Sequence, residues 1–368
     1  MSNNNLNTFF YLESLYNQGN FHELTNSEEG LYFLKLRSLA RKEYLLYLLE
    51  KSKIYVDKLP AKELLKKTFE AEVSTSMIEM TIREIYTQER IERKNLERQI
   101  LAELYKLRVF DWGGIHQNDI NKHLVNNYIK KINNYDSLVE KIENEILNSL
   151  KGFILCSWYN NWTSIIIEDI FKDHPRVLPT IGKIKQVDFF IDQVPFDLKM
   201  TYFPIGFMEK KRKERGLTVK EVSELKKAAN SFEIPFDKNR SDQDLLLDLI
   251  AAFSENSQTK VQDFYHQFIS TRREIITETI QQPRNLLKWL YEQQGTQRFD
   301  ASNRLFLIVI DLNHLENSWK IKRDYQLLKS EIDNYLNNQF FDWEKLKLDW
   351  SFNNQQYKSY TDVIFVVK

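Results

Sequence analysis

Apolar and polar positions follow a helical period along residues 8–150. Residues 31–49 mix Tyr, Leu, Arg and Lys at that spacing, and 61–69 repeat the habit. Residues 76–105 carry an apolar stripe through Ile78, Ile82 and Ile85 among dense Glu and Arg. Such stripes predict amphipathic helices with one buried face. Asp111-Trp112-Gly113-Gly114 interrupts the pattern, which resumes over 118–132 and 137–150. No repeat period suggests a solenoid.

From Phe153 onward the pattern is mixed. Residues 163–171 read as a helix with Thr163 and Ser164 near its start. A loop carrying Pro175, Pro179 and Gly182 follows. Residues 187–204 read as a β-hairpin, because two short, aromatic-rich apolar runs flank the turn-like Asp192-Gln193-Val194-Pro195. Helical segments follow over 241–255, 259–280 and 283–292. Residues 304–311 form a continuous apolar run, as expected of a strand buried on both faces, and 361–367 are strand-like too. The expected organisation is an all-helical region over 1–150, serving DNA recognition or dimerisation. An α/β region over 151–368 follows, a mixed sheet flanked by helices with a helical insertion at about 209–300.

Composition narrows the function classes. With 9 glycines in 368 residues, and neither a Walker-type loop nor a dinucleotide fingerprint, a nucleotide-driven motor is not expected. Cys156 is the single cysteine, which excludes an intrachain disulfide and a zinc–thiolate cluster. No leader peptide or membrane-length apolar run is read, so a reduced cytoplasmic setting without membrane partners is expected. Lys plus Arg equals Asp plus Glu at 52 each, so nucleic-acid binding would need a local basic surface rather than a basic chain.

The hairpin concentrates the chemistry. Asp197 and Lys199 are two apart on its second strand and share a face, while Leu198 points the other way. Closing the loop with four turn residues pairs Phe190 with Asp197 and sets Asp188 opposite Lys199. Two carboxylates and an ammonium on an apolar ribbon suit a hard divalent ion, with Asp188, Asp197 and the Leu198 carbonyl as oxygen donors. Lys199 is then placed to orient the attacking water and offset charge on a phosphate. Asp188 followed by Asp197-Leu198-Lys199 resembles the signature of the PD-(D/E)xK nuclease superfamily, an acid on one strand and acid-x-lysine on the next. Two departures are visible: Val187 rather than proline precedes the first acid, and the second acid is Asp rather than Glu.

The resemblance, closest to type II restriction endonucleases, covers about residues 158–200. It implies a restriction-endonuclease-like α/β core, magnesium as cofactor, and Glu168 as an auxiliary ligand on the preceding helix. It further implies cutting of both strands of double-stranded DNA to 5′-phosphate and 3′-hydroxyl ends. A homodimer and a cognate DNA methyltransferase protecting host DNA would accompany that activity. Candidate phosphate contacts are Lys183 and Lys185 before the first strand and Lys210, Lys211, Arg212, Lys213 and Arg215 after the second. Two alternatives stay open. One is a nuclease of the same type in repair, transposition or another defence system. The other is a non-enzymatic helical DNA-binding protein whose hairpin charges form a salt bridge. His116 and His123, seven apart, lack an acid to complete a metal site.

Overall fold

The structure is a computed structural model, and it describes residues 2–56, 59–110, 124–293, 303–337, 342–352 and 354–368. The Asp111–Gly114 interruption, His116, His123 and the first part of the helix expected at 118–132 lie outside the described residues.

Six strands form one mixed sheet: β1 (Val177–Ile184), β2 (Val187–Ile191), β3 (Val194–Tyr202), β4 (Arg304–Ile310), β5 (Lys347–Phe352) and β6 (Gln355–Val367), in the order β1-β2-β3-β4-β6-β5. The pairs β1–β2, β2–β3 and β5–β6 are antiparallel, whereas β3–β4 and β4–β6 are parallel. The centre of the sheet is therefore parallel and covered on both faces, which is why β4 is apolar at nearly every position. Leu305, Leu307 and Val309 pack with Ile167, Ile170 and Phe171 of helix Leu147–Lys172 and with Leu328, Ile332 and Leu336 of helix Tyr325–Asn337. Phe306, Ile308 and Ile310 face the opposite way, against Ile275, Ile276, Leu286 and Tyr291.

The N-terminal region is helical, as expected, with helices Ser2–Gln18, Phe21–Thr25, Glu28–Ser38, Lys42–Lys51, Ala61–Glu70 and Thr75–Leu104. It is not a separate layer. Its core of Phe9, Phe21, Phe33, Leu34 and Ile78 continues into Leu178, Ile184, Val187 and Phe190 of β1 and β2. Nor does the chain break near residue 150. Helix Leu147–Lys172 runs through that point, preceded by helix Tyr135–Lys141 and a π-turn at Ile142–Ile146. The insertion after β3 builds a small core of its own from Val222, Leu225, Leu245, Leu249, Phe253 and Phe268.

Two strands correct the sequence expectation. The loop expected around Pro175, Pro179 and Gly182 is largely β1, an edge strand whose register shifts between Pro179 and Ile184. An edge with a bulge accepts both proline and glycine, the residues that suggested a loop. The N-terminal helices cover that edge: Ile181 N–H donates to Ser38 Oγ and Lys185 N–H to the Tyr16 hydroxyl. β5 was not expected either, although Leu348 and Trp350 are buried between exposed Asp349 and Ser351 in a period of two.

Candidate functional site

The hairpin register differs from the sequence expectation. Asp192 and Gln193 alone form the turn, both at positive φ (44° and 78°), as a tight two-residue hairpin turn requires. The pairs are Ile191↔Val194, Phe190↔Pro195 and Phe189↔Phe196. Continuing the series sets Asp188 against Asp197 rather than against Lys199. The displacement is two residues, so each side chain keeps its face.

The β2–β3 ladder stops at Phe189↔Phe196, and the two aspartates stand where the strands part. Asp188 fills the gap, its Oδ2 accepting the Leu198 N–H at 2.8 Å while its carbonyl accepts the Thr180 hydroxyl at 2.8 Å. β3 there turns to its other neighbour: Asp197 N–H donates to Asn303 O at 3.0 Å, and Asp197 sits beside Arg304 in the parallel ladder. The Asp197 side chain is 8% exposed and lies between two cations. Lys199 Nζ is 2.5 Å from Oδ1 and Arg304 Nε is 3.6 Å from Oδ2. Lys199 is 45% exposed and reaches the buried carboxylate from solvent, whereas Arg304 is buried with its guanidinium over the Tyr291 ring at 5.3 Å.

Burial, then the Asp197 charge, pushes the Asp188 carboxyl from its ordinary 3.8 up to about 6, against the stabilising Leu198 N–H. Glu168 adds to the rise and Lys172 opposes it, so both side chains are within electrostatic reach of Asp188. They pair with each other at 3.0 Å on helix Leu147–Lys172. The structure thus gathers Asp188, Asp197, Lys199 and Glu168 around one fork in the sheet. It adds Arg304 and Lys172, which the sequence reading left out. Lys172 stands one helical turn after Glu168, and Arg304 heads an apolar run, where a charge reads as a strand boundary.

Among the described residues, no group of three or more His, Cys, Asp or Glu side chains is placed to hold a metal ion. The donor chemistry suits a metal that needs fewer protein ligands. Magnesium is commonly bound by one or two carboxylates together with water and substrate phosphate. Asp188 and Asp197 are two hard oxygen donors where the strands part, and burial, with the nearby Asp197 charge, raises the Asp188 carboxyl.

The expected phosphate contacts fare differently. Lys185 is exposed, its ammonium 5.9 Å from the Tyr16 ring. Lys183 lies on β1, with its side chain outside the described set. Arg212 is fully buried, paired with Glu224 and Glu221 and donating to Thr218 O. It braces the insertion and presents no face to a phosphate. Lys211 pairs with Glu278 and Glu214, Lys210 with Glu214, and Arg215 with Glu274 and Glu278. That leaves Lys213 exposed at the end of the run. The most basic stretch of the sequence therefore mainly ties helix Ile205–Glu214 to helix Thr259–Gln281.

No family model, no curated protein and no solved structure matches this chain. Among the described residues, no helix is long and apolar enough to cross a membrane.

Proposed function

We propose that this chain is a magnesium-dependent nuclease of the PD-(D/E)xK type that cuts double-stranded DNA at a short sequence, as type II restriction endonucleases do. The observation that carries the reading is the fork itself, with Asp188 and Asp197 opposed where the ladder opens and Lys199 reaching Asp197 from solvent. Asp188 and Asp197, with the Leu198 carbonyl, would hold the magnesium ion, which supplies Lewis-acid activation of the phosphate and its attacking water. Lys199 leaves its carboxylate partner to orient that water and to offset charge on the phosphate. Arg304 stays beside Asp197 and helps hold it in place. Glu168, within electrostatic reach of Asp188, would serve as an auxiliary acceptor. In-line attack leaves a 5′-phosphate and a 3′-hydroxyl. Cutting both strands of a symmetric site calls for a second copy of the chain.

The test is incubation of purified protein with plasmid and phage DNA, in magnesium and in EDTA. Discrete fragments that vanish with EDTA support a site-specific endonuclease, whereas a magnesium-dependent smear or nicks moves the reading to repair or another defence system. Intact DNA across unmethylated substrates of varied sequence would sink it. The short Lys199–Asp197 contact also favours a second reading, a binding protein in which the charges serve only as a salt bridge. That reading expects divalent metal to change nothing.

A further inference from the structure

Helix Thr75–Leu104 and the end of helix Leu147–Lys172 leave between them a cleft of about 410 Å³, closed on one side by His174, Pro175 and Pro179. Arg83, Arg90, Lys94 and Lys172 line it together with a single acid, Asp173. Two of those cations are neutralised within the protein. Arg90 holds Asp173 through two nitrogens and also pairs with Glu97, while Lys172 pairs with Glu168. The other two are not. Arg83 donates to the carbonyls of Val177 (3.1 Å) and Pro175 (3.2 Å), contacts that fix its guanidinium without cancelling its charge. Lys94 is exposed and makes no hydrogen bond or ion pair among the described residues.

The spacing is suggestive as well. Arg83 and Lys94 stand eleven residues apart on one helix, three turns, so they share a side and are separated by roughly 16 Å along the axis. That distance spans several nucleotides of a strand that rises about 3.4 Å per phosphate. Lys172 connects the cleft to the carboxylates, since it lines the one and acts electrostatically on Asp188.

The geometry points to this cleft as a seat for the sugar-phosphate backbone of a DNA strand, with Arg83 and Lys94 as phosphate contacts and Lys172 at the end nearest Asp188. The identity of the polyanion rests on the nuclease reading; the uncompensated charge does not. The cleft takes over the role that the sequence gave to residues 210–212, whose charges are spent on their own carboxylates.

The experiment is fluorescence anisotropy of the full chain with a short labelled duplex of mixed sequence, in calcium rather than magnesium, over a range of salt concentrations. Each lost phosphate contact lowers the slope of log affinity against log salt by about 0.9. Lys94→Gln, which removes no internal contact, is expected to lower the slope by about that amount, and Arg83→Gln with Lys94→Gln by roughly 1.8. Lys358→Gln on β6 is the comparison expected to leave it unchanged. An unaltered slope in Lys94→Gln and in the double variant overturns the assignment, as does a wild-type chain that does not bind the duplex. Cleavage in magnesium is scored separately. Slope loss without any cleavage keeps the cleft and removes the nuclease, and cleavage with an unaltered slope does the reverse.

Discussion

Burying the Asp188 carboxylate, beside the charge of Asp197, makes the fold less stable at neutral pH than it would be without that charge. Asp188 has a folded-state value of about 6 against an ordinary 3.8, so between these values the native chain holds more protons than the unfolded one. Stability therefore falls as pH rises through this window and is lowest above it. At 1.36 kcal/mol per unit the shift amounts to about 3 kcal/mol, and solvent screening of the half-buried Asp188 reduces this to roughly 1–3 kcal/mol. Asp188→Asn keeps an oxygen for the Leu198 N–H and removes the charge. The variant is expected to be more stable than wild type by about 1–3 kcal/mol near pH 8, with the gain shrinking toward zero near pH 4. Urea unfolding followed by circular dichroism measures this as a shift in midpoint at constant slope. Magnesium should raise the wild-type midpoint and leave the variant nearly unmoved, because ligand binding stabilises only the state that binds. A variant no more stable than wild type at the higher pH, or one whose gain is the same at both, would refute the reasoning.

Lys199→Ala should reduce DNA cleavage by at least about a hundredfold while its thermal midpoint stays close to wild type, because Lys199 is itself 45% exposed and Arg304 remains beside the buried Asp197. Retention of wild-type cleavage would remove Lys199 from the chemistry. Arg212→Leu strands Glu224 beside an apolar side chain, while Glu221 keeps Arg272, and should destabilise the fold by about 3 kcal/mol, read by urea titration. Gly182→Ala would bring a methyl group to 2.8 Å from the Ser38 carbonyl oxygen, a backbone atom that cannot swing aside. A loss of about 1–3 kcal/mol is expected by the same measurement.

The hairpin could be read from the sequence because alternation and turn residues are local signals. Its register was misread because four consecutive residues resemble a turn, whereas of those four only Asp192 and Gln193 stand at positive φ. β1 was hidden by Pro179 and Gly182, which mark a loop unless an edge and a bulge accommodate them. The helix carrying Glu168 was read only over 163–171, because Thr163 and Ser164 are residue types that start helices, whereas inside Leu147–Lys172 the Thr163 hydroxyl bonds back to the Tyr159 and Asn160 carbonyls. The basic run misled for another reason. The partners of Lys211, Arg212 and Arg215 include Glu224, Glu274 and Glu278, and local charge pattern says nothing about residues brought together by a distant helix. Arg304 belongs to the same class, since the sequence separates it from Asp197 by a hundred residues and the parallel ladder makes them neighbours.

That parallel ladder also fixes an order of events during synthesis and refolding. The N-terminal helices can pack on one another, and β2 can pair with β3, from residues close in sequence, but β3 has no neighbour on its other side until β4 is available. Such long-range pairings form late, because the intervening chain must first be closed into a loop. Asp197 therefore waits for Asn303 and Arg304, and β4 in turn waits for β6. Pulse-labelled hydrogen exchange should show amides of the N-terminal helices protected before those of β4 and β6. A nascent chain of this kind passes through synthesis with Asp197 lacking its Asn303 and Arg304 neighbours, which arrive only when the last strands dock.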